Sequence, residues 1–293
     1  MRYYYHNFLK NVVDANAPTP EPLSVDEALR RIQSEARYLF RTTDLAKMVG
    51  KAPNGPALKF ALLRSAKAGR IALVSKRPST WLIVPPEHEH YGAPPVEWWL
   101  NDFLEPIEPG YYVALLSAAR HWGSGHYAHQ SVQVMVSRQR APLSIGKLRI
   151  EFIYKKNVAS TPVTRVRGEI APLRVSTREA TLLDLLRHQS EIGGLEAIVR
   201  IAKDFAAAMT ASGLTDALDA LGLAPPAQRL GFVLERLHQK RLCPPVERWL
   251  ASRRPTLQPL ELAPPPGDNA RTTDPRWAVW FTRHQQEQIE ELA

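Results

Sequence analysis

Apolar positions recur along this chain at two spacings, and the switches between them mark its elements. From Ser24, the residues Val25, Ala28, Leu29, Ile32 and Ala36 fall three or four apart, the period of a helix that buries one face. Ser24 with Glu27 three positions later is a capping box that starts it. Over 42–50 a shorter helix is expected, with Thr42 or Thr43 placed to cap it, Asp44 in its first turn and Gly50 at its end. A turn containing Pro53, Asn54 and Gly55 leads to Pro56, which suits the first turn of a third helix, LKFALLRSAKA, stopped by Gly69. The period then falls to two. The apolar runs 70–74 and 81–84 flank Ser75, Lys76, Arg77, Pro78 and Ser79, which read as a hairpin tip. Helix, turn, helix, hairpin is the order of a winged helix-turn-helix.

Beyond this unit PPEHEHYGAPP breaks the composition and reads as a linker. Residues 96–104, with Trp98 and Trp99, predict a connecting helix, and YYVALLSAARHW predicts a largely buried one because its apolar residues wrap most of its circumference. Strands are expected at 132–136, 148–154, 163–166 and 173–175. In KLRIEFIYKK, Leu148, Ile150, Phe152 and Tyr154 alternate with Lys147, Arg149 and Glu151, so one face should be core and the other wet. Thr177 or Ser176 caps TREATLLDLLRHQ, and Gly193 and Gly194 separate it from LEAIVRIAKDFAAAM. Later helices are expected at 215–221 and 227–240, then a Pro-rich break, an apolar RWAVWF and a short polar helix toward Ala293. The expected class is α+β. An N-terminal segment occupies 1–22, a winged helix-turn-helix 23–86, a linker with its connecting helix 87–105, and a larger mixed α/β domain with a small sheet and a helical C-terminal part 106–293.

Charge sharpens this picture. Between Arg37 and Arg77 ten Lys or Arg face the single acid Asp44, so this segment carries as much excess as the whole chain, +9 over 293 residues. On the third helix, helical spacing places Leu58, Ala61, Leu62 and Ser65 on one side and Phe60, Arg64 and Lys67 on the other, with Lys59 near the boundary. Cations on such a face reach phosphates or guanine edges in a major groove. The candidate DNA-binding residues are Thr42, Thr43, Lys51, Asn54, Lys59, Phe60, Arg64, Lys67, Arg70, Lys76 and Arg77. The alternative is a solvated basic face or a protein-docking module. A second basic stretch, with Arg138, Arg140, Lys147, Arg149, Lys155 and Lys156, is either a further surface for an acidic partner or a solubilising strand edge.

Catalytic patterns are missing. Neither a Gly-x-Gly-x-x-Gly or Walker phosphate loop nor His-Glu-x-x-His or paired Cys-x-x-Cys occurs. His121, His126 and His129 lie close in HWGSGHYAH, and His88 and His90 in the linker, but each group lacks an evident further ligand and reads as structural or solvated. Glu179 and Asp184, five apart on one helix, do not share a face, and a capping role suits Glu179 better. The expectation is therefore no enzyme, no cofactor and no metal. The lone Cys243 excludes an internal disulfide framework. Without an evident signal peptide or membrane-length apolar run, the expected compartment is the cytoplasm.

The order of these features, together with LRVSTREATLLDLL and GGLEAIVRIAKDF, resembles the AbiEi-type antitoxins of type IV toxin-antitoxin systems. Val175, Ser176, Glu179, Thr181, Leu182, Leu183, Asp184, Leu185 and Leu186 fill the strand-to-helix pattern of that family, and the resemblance spans roughly 24–205. It implies a transcriptional autorepressor that binds double-stranded DNA at inverted repeats in its own promoter, as a monomer or a dimer formed on DNA. It also implies that the larger domain counters a nucleotidyltransferase-like toxin from the same operon without a stable complex. The second function class is a winged-helix regulator whose larger domain senses a small ligand.

Overall fold

The structure is a computed structural model that describes residues 21–125, 131–167, 172–262 and 271–293. The expected segment 1–22 lies almost wholly outside the described residues, as do His126 and His129.

The first unit has three helices, α1 (Val25–Ser34), α2 (Thr42–Met48) and α3 (Pro56–Lys67), and three strands, β1 (Leu39–Arg41), β2 (Ile71–Lys76) and β3 (Ser79–Ile83). The capping box forms, with Ser24 accepting from the Glu27 amide and Glu27 Oε2 accepting from the Ser24 amide at 2.9 Å. Helix α1 ends before Ala36, which is exposed with φ +54° and so contributes nothing to the expected apolar stripe. Strand β1, unanticipated, pairs antiparallel with β3 through Leu39–Leu82, Phe40–Trp81 and Arg41–Thr80. Ala28, Leu29, Ile32, Phe40, Leu45, Leu58, Leu62, Ile71, Trp81 and Ile83 close a core between helices and sheet.

The back of that small sheet is also covered. Trp81 and Ile83 point into the first core, while Leu82 between them joins a second, and a register shift between Leu73 and Ser75 sends Val74 the same way. There they meet Trp99, Leu100 and Leu104. The stretch 87–105, expected as a linker with a connecting helix, holds a 3-10 turn (Val96–Trp98) and the helix α4 (Leu100–Leu104), both packed into this second core.

The larger unit is built on a six-stranded sheet, order β6-β7-β5-β4-β9-β8, from β4 (Tyr112–Val113), β5 (Ser131–Val136), β6 (Leu143–Ile145), β7 (Leu148–Tyr154), β8 (Val163–Arg167) and β9 (Pro172–Ser176). β5 with β7 and β4 with β9 are parallel, and the other pairs are antiparallel. One expectation fails here and another holds only in part. Residues 111–122 are not one helix, because Tyr112 and Val113 enter the sheet and only Leu115–His121 is helical, as α5. The wet face expected along β7 holds at Arg149, which is exposed, and partly at Glu151, but not farther across the sheet: Val113, Val132, Val134 and Ile150 face the second core, and Tyr112, Met135 and Ile153 face a third. All six residues of β5 are buried, as expected of a strand covered on both sides. Tyr154, assigned to the core by alternation, is exposed because the pairing ends there. At the β6–β7 turn, Gly146 (φ +55°) lies so close to Tyr91 and Gly92 that a Cβ would sit 2.3 Å from the Tyr91 carbonyl oxygen.

Helices α6 (Arg178–Arg187), α7 (Gly194–Ala206), α8 (Ala211–Leu221), α9 (Ala224–Arg236) and α10 (Cys243–Ala251) enclose the third core. A small sheet of β10 (Gln258–Pro259), β11 (Arg271–Asp274) and β12 (Val279–Thr282) leads to α11 (Arg283–Leu292). Trp277, before β12, lies over Gly231 of α9, where any Cβ would meet its ring at 2.1 Å.

Candidate nucleic-acid interface

Helix α3 divides as its spacing requires. Gly55 precedes it, Pro56 occupies its first turn and Gly69, at φ +74°, follows it. Leu58, Ala61, Leu62 and Ser65 are buried, and the other side exposes Lys59, Phe60, Leu63, Arg64 and Lys67. Burying Leu58 and Leu62 stabilises the unit by about 1.5–3 kcal/mol each and fixes which face remains outward. Phe60 and Leu63 are 63% and 49% exposed. At the hairpin tip Lys76 and Arg77 are exposed, and Lys51 and Asn54 project from the turn before α3. Thr43 is exposed on α2. Among the described residues, none of Lys51, Lys59, Arg64, Lys67, Lys76 and Arg77 forms an ion pair with an acid.

Two candidates are otherwise engaged. Thr42 does not cap α2, whose capping position is Arg41. Its hydroxyl lies 2.8 Å from Ser79 Oγ and accepts the Trp81 indole N–H at 3.0 Å, tying α2 to the hairpin. Arg70 donates to Asp26 at 3.0 Å and lies 3.4 Å from Ser65 Oγ, bracing α1 against the end of α3. Asp26 and Glu35, which pairs with Arg37 at 3.6 Å, lie just outside the basic segment and temper its excess.

The second basic stretch does not form one surface. Lys155 is buried, a correction to its expected exposure. It follows the last paired residue of β7 and turns inward, donating from Nζ to Asp184 Oδ1 and Tyr112 Oη, both at 2.8 Å. Tyr112 in turn donates to Asp184 Oδ2 at 2.7 Å, which closes a three-membered network. Burial, then the neighbouring Asp184 carboxylate, holds the Tyr112 phenol well above its ordinary pKa. Arg140 is committed to Glu108, whose side chain is buried, at 3.0 Å. Burial would raise the Glu108 pKa, but hydrogen bonds from Ser137 and Arg140 outweigh it and hold the group below its ordinary range. Arg149 pairs with Glu151 at 3.4 Å. Arg138, Lys147 and Lys156 are exposed, but Lys147 and Lys156 leave opposite ends of β7, about 30 Å apart at ~3.3 Å per residue.

The strand-to-helix pattern that prompted the family resemblance proves to be where the sheet is fastened to the helices. Ser176 Oγ and Thr181 Oγ1 lie 2.7 Å apart. Glu179 accepts from the amide of Thr210, the residue that caps α8, at 2.9 Å, and so braces that cap, while its own helix is capped by Thr177. Asp184 anchors the network just described. Apolar spacing could not reveal Lys155 or Tyr112 as its partners, since both are distant in sequence and one reads as a surface charge.

No group of three His, Cys, Asp or Glu among the described residues could hold a metal, and no helix among them is long and apolar enough to cross a membrane. His121 is exposed, its pKa lowered by partial burial and its ring edge-on to Trp122 at 4.9 Å. Ser124, between His121 and the undescribed His126, lies 2.5 Å from Asp204.

The fold as a whole is similar to that in a crystal structure of the RV2827C protein from Mycobacterium tuberculosis. The TM-score is 0.62 at 17% identity, over 94% of this chain and 97% of that one. No curated protein matches the sequence significantly. A match to the AbiEi antitoxin C-terminal domain begins at β4, runs through the six-stranded sheet and closes at the end of α9, so it takes in the whole fastened strand-to-helix region. Over residues 112–236 this chain is similar to the AbiEi antitoxin C-terminal domain, which supports an AbiEi-type antitoxin.

Proposed function

We propose that residues 23–86 are a winged helix-turn-helix that binds double-stranded DNA, and that the chain represses its own promoter while its larger unit counters a nucleotidyltransferase-like toxin of the same operon. The observation that carries the DNA reading is the outward stripe of α3, Lys59, Phe60, Arg64 and Lys67, without acidic partners among the described residues and beside a hairpin tip bearing Lys76 and Arg77. A helix of this width fits a major groove, where a guanidinium bonds a guanine edge and an ammonium holds a phosphate. The hairpin tip then reaches the flanking backbone or minor groove. The exposed Thr43, Lys51 and Asn54 would add phosphate contacts. The protein acts in the cytoplasm as a non-catalytic regulator, without cofactor or metal, as a monomer or a dimer formed on DNA, and makes no stable complex with the toxin.

A ligand-sensing role for the larger unit finds less support. A recess of about 600 Å³ in this unit is lined by Glu235, Arg236, His238, Lys240, Cys243 and Arg276, of which Arg276 pairs with Glu235 and Glu247 and Arg236 with Asp274. Charges already satisfied by one another leave little to recognise a ligand.

The test is a reporter driven by DNA upstream of the gene, run beside a growth-rescue assay in which each variant is supplied from an unrelated promoter. Arg64→Ala should relieve repression and preserve rescue. Loss of rescue with intact repression would overturn the division of labour.

A further inference from the structure

Phe60 and Leu63 are the two most exposed large apolar side chains of the first unit, at 63% and 49%, and both lie on the outward stripe of α3. Neither serves the first core, which Leu58 and Leu62 fill from the opposite face. They sit among Lys59, Arg64 and Lys67. Cations select a polyanion, and an apolar pair between them selects a polyanion that displays an apolar group between its phosphates. In the major groove of DNA that group is the 5-methyl of thymine.

We infer that Phe60, with Leu63 beside it, reads thymine methyl groups, so that part of the sequence preference rests on apolar contact rather than hydrogen bonding. This deepens the DNA-binding reading above and rests on it. At a rise of ~1.5 Å per residue, Phe60 and Arg64 are about 6 Å apart along the helix, so the thymine should lie within about two base pairs of the Arg64 contact.

The experiment uses the full chain and duplexes it selects from a random-sequence pool, compared with the same duplexes carrying 2′-deoxyuridine in place of every thymine. That exchange removes only the methyl group. Binding by the unsubstituted protein should weaken about fourfold for each contacted methyl, the factor equivalent to ~0.8 kcal/mol for one buried CH₂. Phe60→Ala should bind both duplexes alike, with an unchanged melting temperature because the side chain lies outside the core. If the unsubstituted protein binds both duplexes equally, or Phe60→Ala retains the full discrimination, the inference is wrong and the DNA reading stands. If the protein selects no duplex at all, both fail.

Discussion

Arg64 and Lys155 carry the same formal charge and occupy opposite settings. Arg64 stands on an outward helix face without an acidic partner among the described residues, on a unit whose core is complete without it. Lys155 is buried, with Asp184 and Tyr112 each 2.8 Å from its ammonium. A cation taken out of water must be repaid by partners in good geometry, whereas one left in water holds its shape against nothing and stays available to a phosphate. The same contrast separates the two basic stretches. In the first, most cations are open. In the second, Arg140, Arg149 and Lys155 are committed to Glu108, Glu151 and Asp184.

Removing the partner of the buried charge should give the largest effect. Asp184→Ala leaves Lys155 buried without its carboxylate and should destabilise the larger unit by about 3–5 kcal/mol, read from urea unfolding. Replacing both residues, Asp184→Leu with Lys155→Met, should recover most of that loss. A mild single mutant would mean that water reaches the site and that the contrast between the two stretches is weaker than the geometry suggests.

Glu108 carries the next effect and a pH signature. Its folded pKa lies below the unfolded value, so its contribution is fully present above the ordinary carboxylate range and is lost as pH falls below about 4.3 toward the lower folded value. Glu108→Gln should cost about 1–3 kcal/mol at neutral pH. Melting curves taken down the acid limb should then show a shallower decline for the variant. Parallel acid limbs would remove Glu108 from the account.

How much of this was legible in the sequence follows from the same distinction. The face of α3 was readable because Leu58, Ala61, Leu62 and Ser65 obey one local period and nothing distant perturbs them. The termini of α3 were equally plain from Pro56 and Gly69. Lys155 was not readable, since its inward turn depends on Asp184, 29 positions away, and Tyr112, 43 away. Alternation along β7 suggested one wet face, and Arg149 is exposed there, but Ile153 on the same face packs against the third core, which local spacing does not show. Helix α10 was hidden by Pro244 and Pro245, which look like breakers yet stand in its first turn, where the missing N–H costs nothing. Short strands such as β10 and β1 are held by pairing rather than by pattern, so no periodicity announced them. Thr42 was misassigned as a cap because its partners Ser79 and Trp81 come from the other end of the unit.

On the open side of the comparison the expected effects are smaller and concern binding. Arg64→Ala should cost about 1–3 kcal/mol of DNA affinity and relax base preference, while Lys67→Ala should weaken all duplexes alike. A competition assay between selected and random duplexes distinguishes the two. Equal loss on both duplexes for Arg64→Ala would make it a phosphate contact. Smallest of all, charge reversal at Lys147 and Lys156 should leave DNA binding and rescue unaltered, because these residues stand off opposite ends of β7. Loss of either activity in a folded variant would restore the second stretch as a functional surface.

The central claim is that the open cations of the first unit are there for DNA, and a salt titration tests it most directly. Binding of the full chain to a duplex from upstream of its gene would be followed by anisotropy at several salt concentrations, beside a variant with Lys59, Arg64 and Lys67 all changed to Glu. Each neutralised phosphate should contribute a slope of about 0.9 in the logarithm of affinity against the logarithm of salt. A steep slope is expected for the unsubstituted protein and near-complete loss of binding for the variant, whose melting temperature should match. A flat slope, or a variant that binds as well as the parent, would contradict the account.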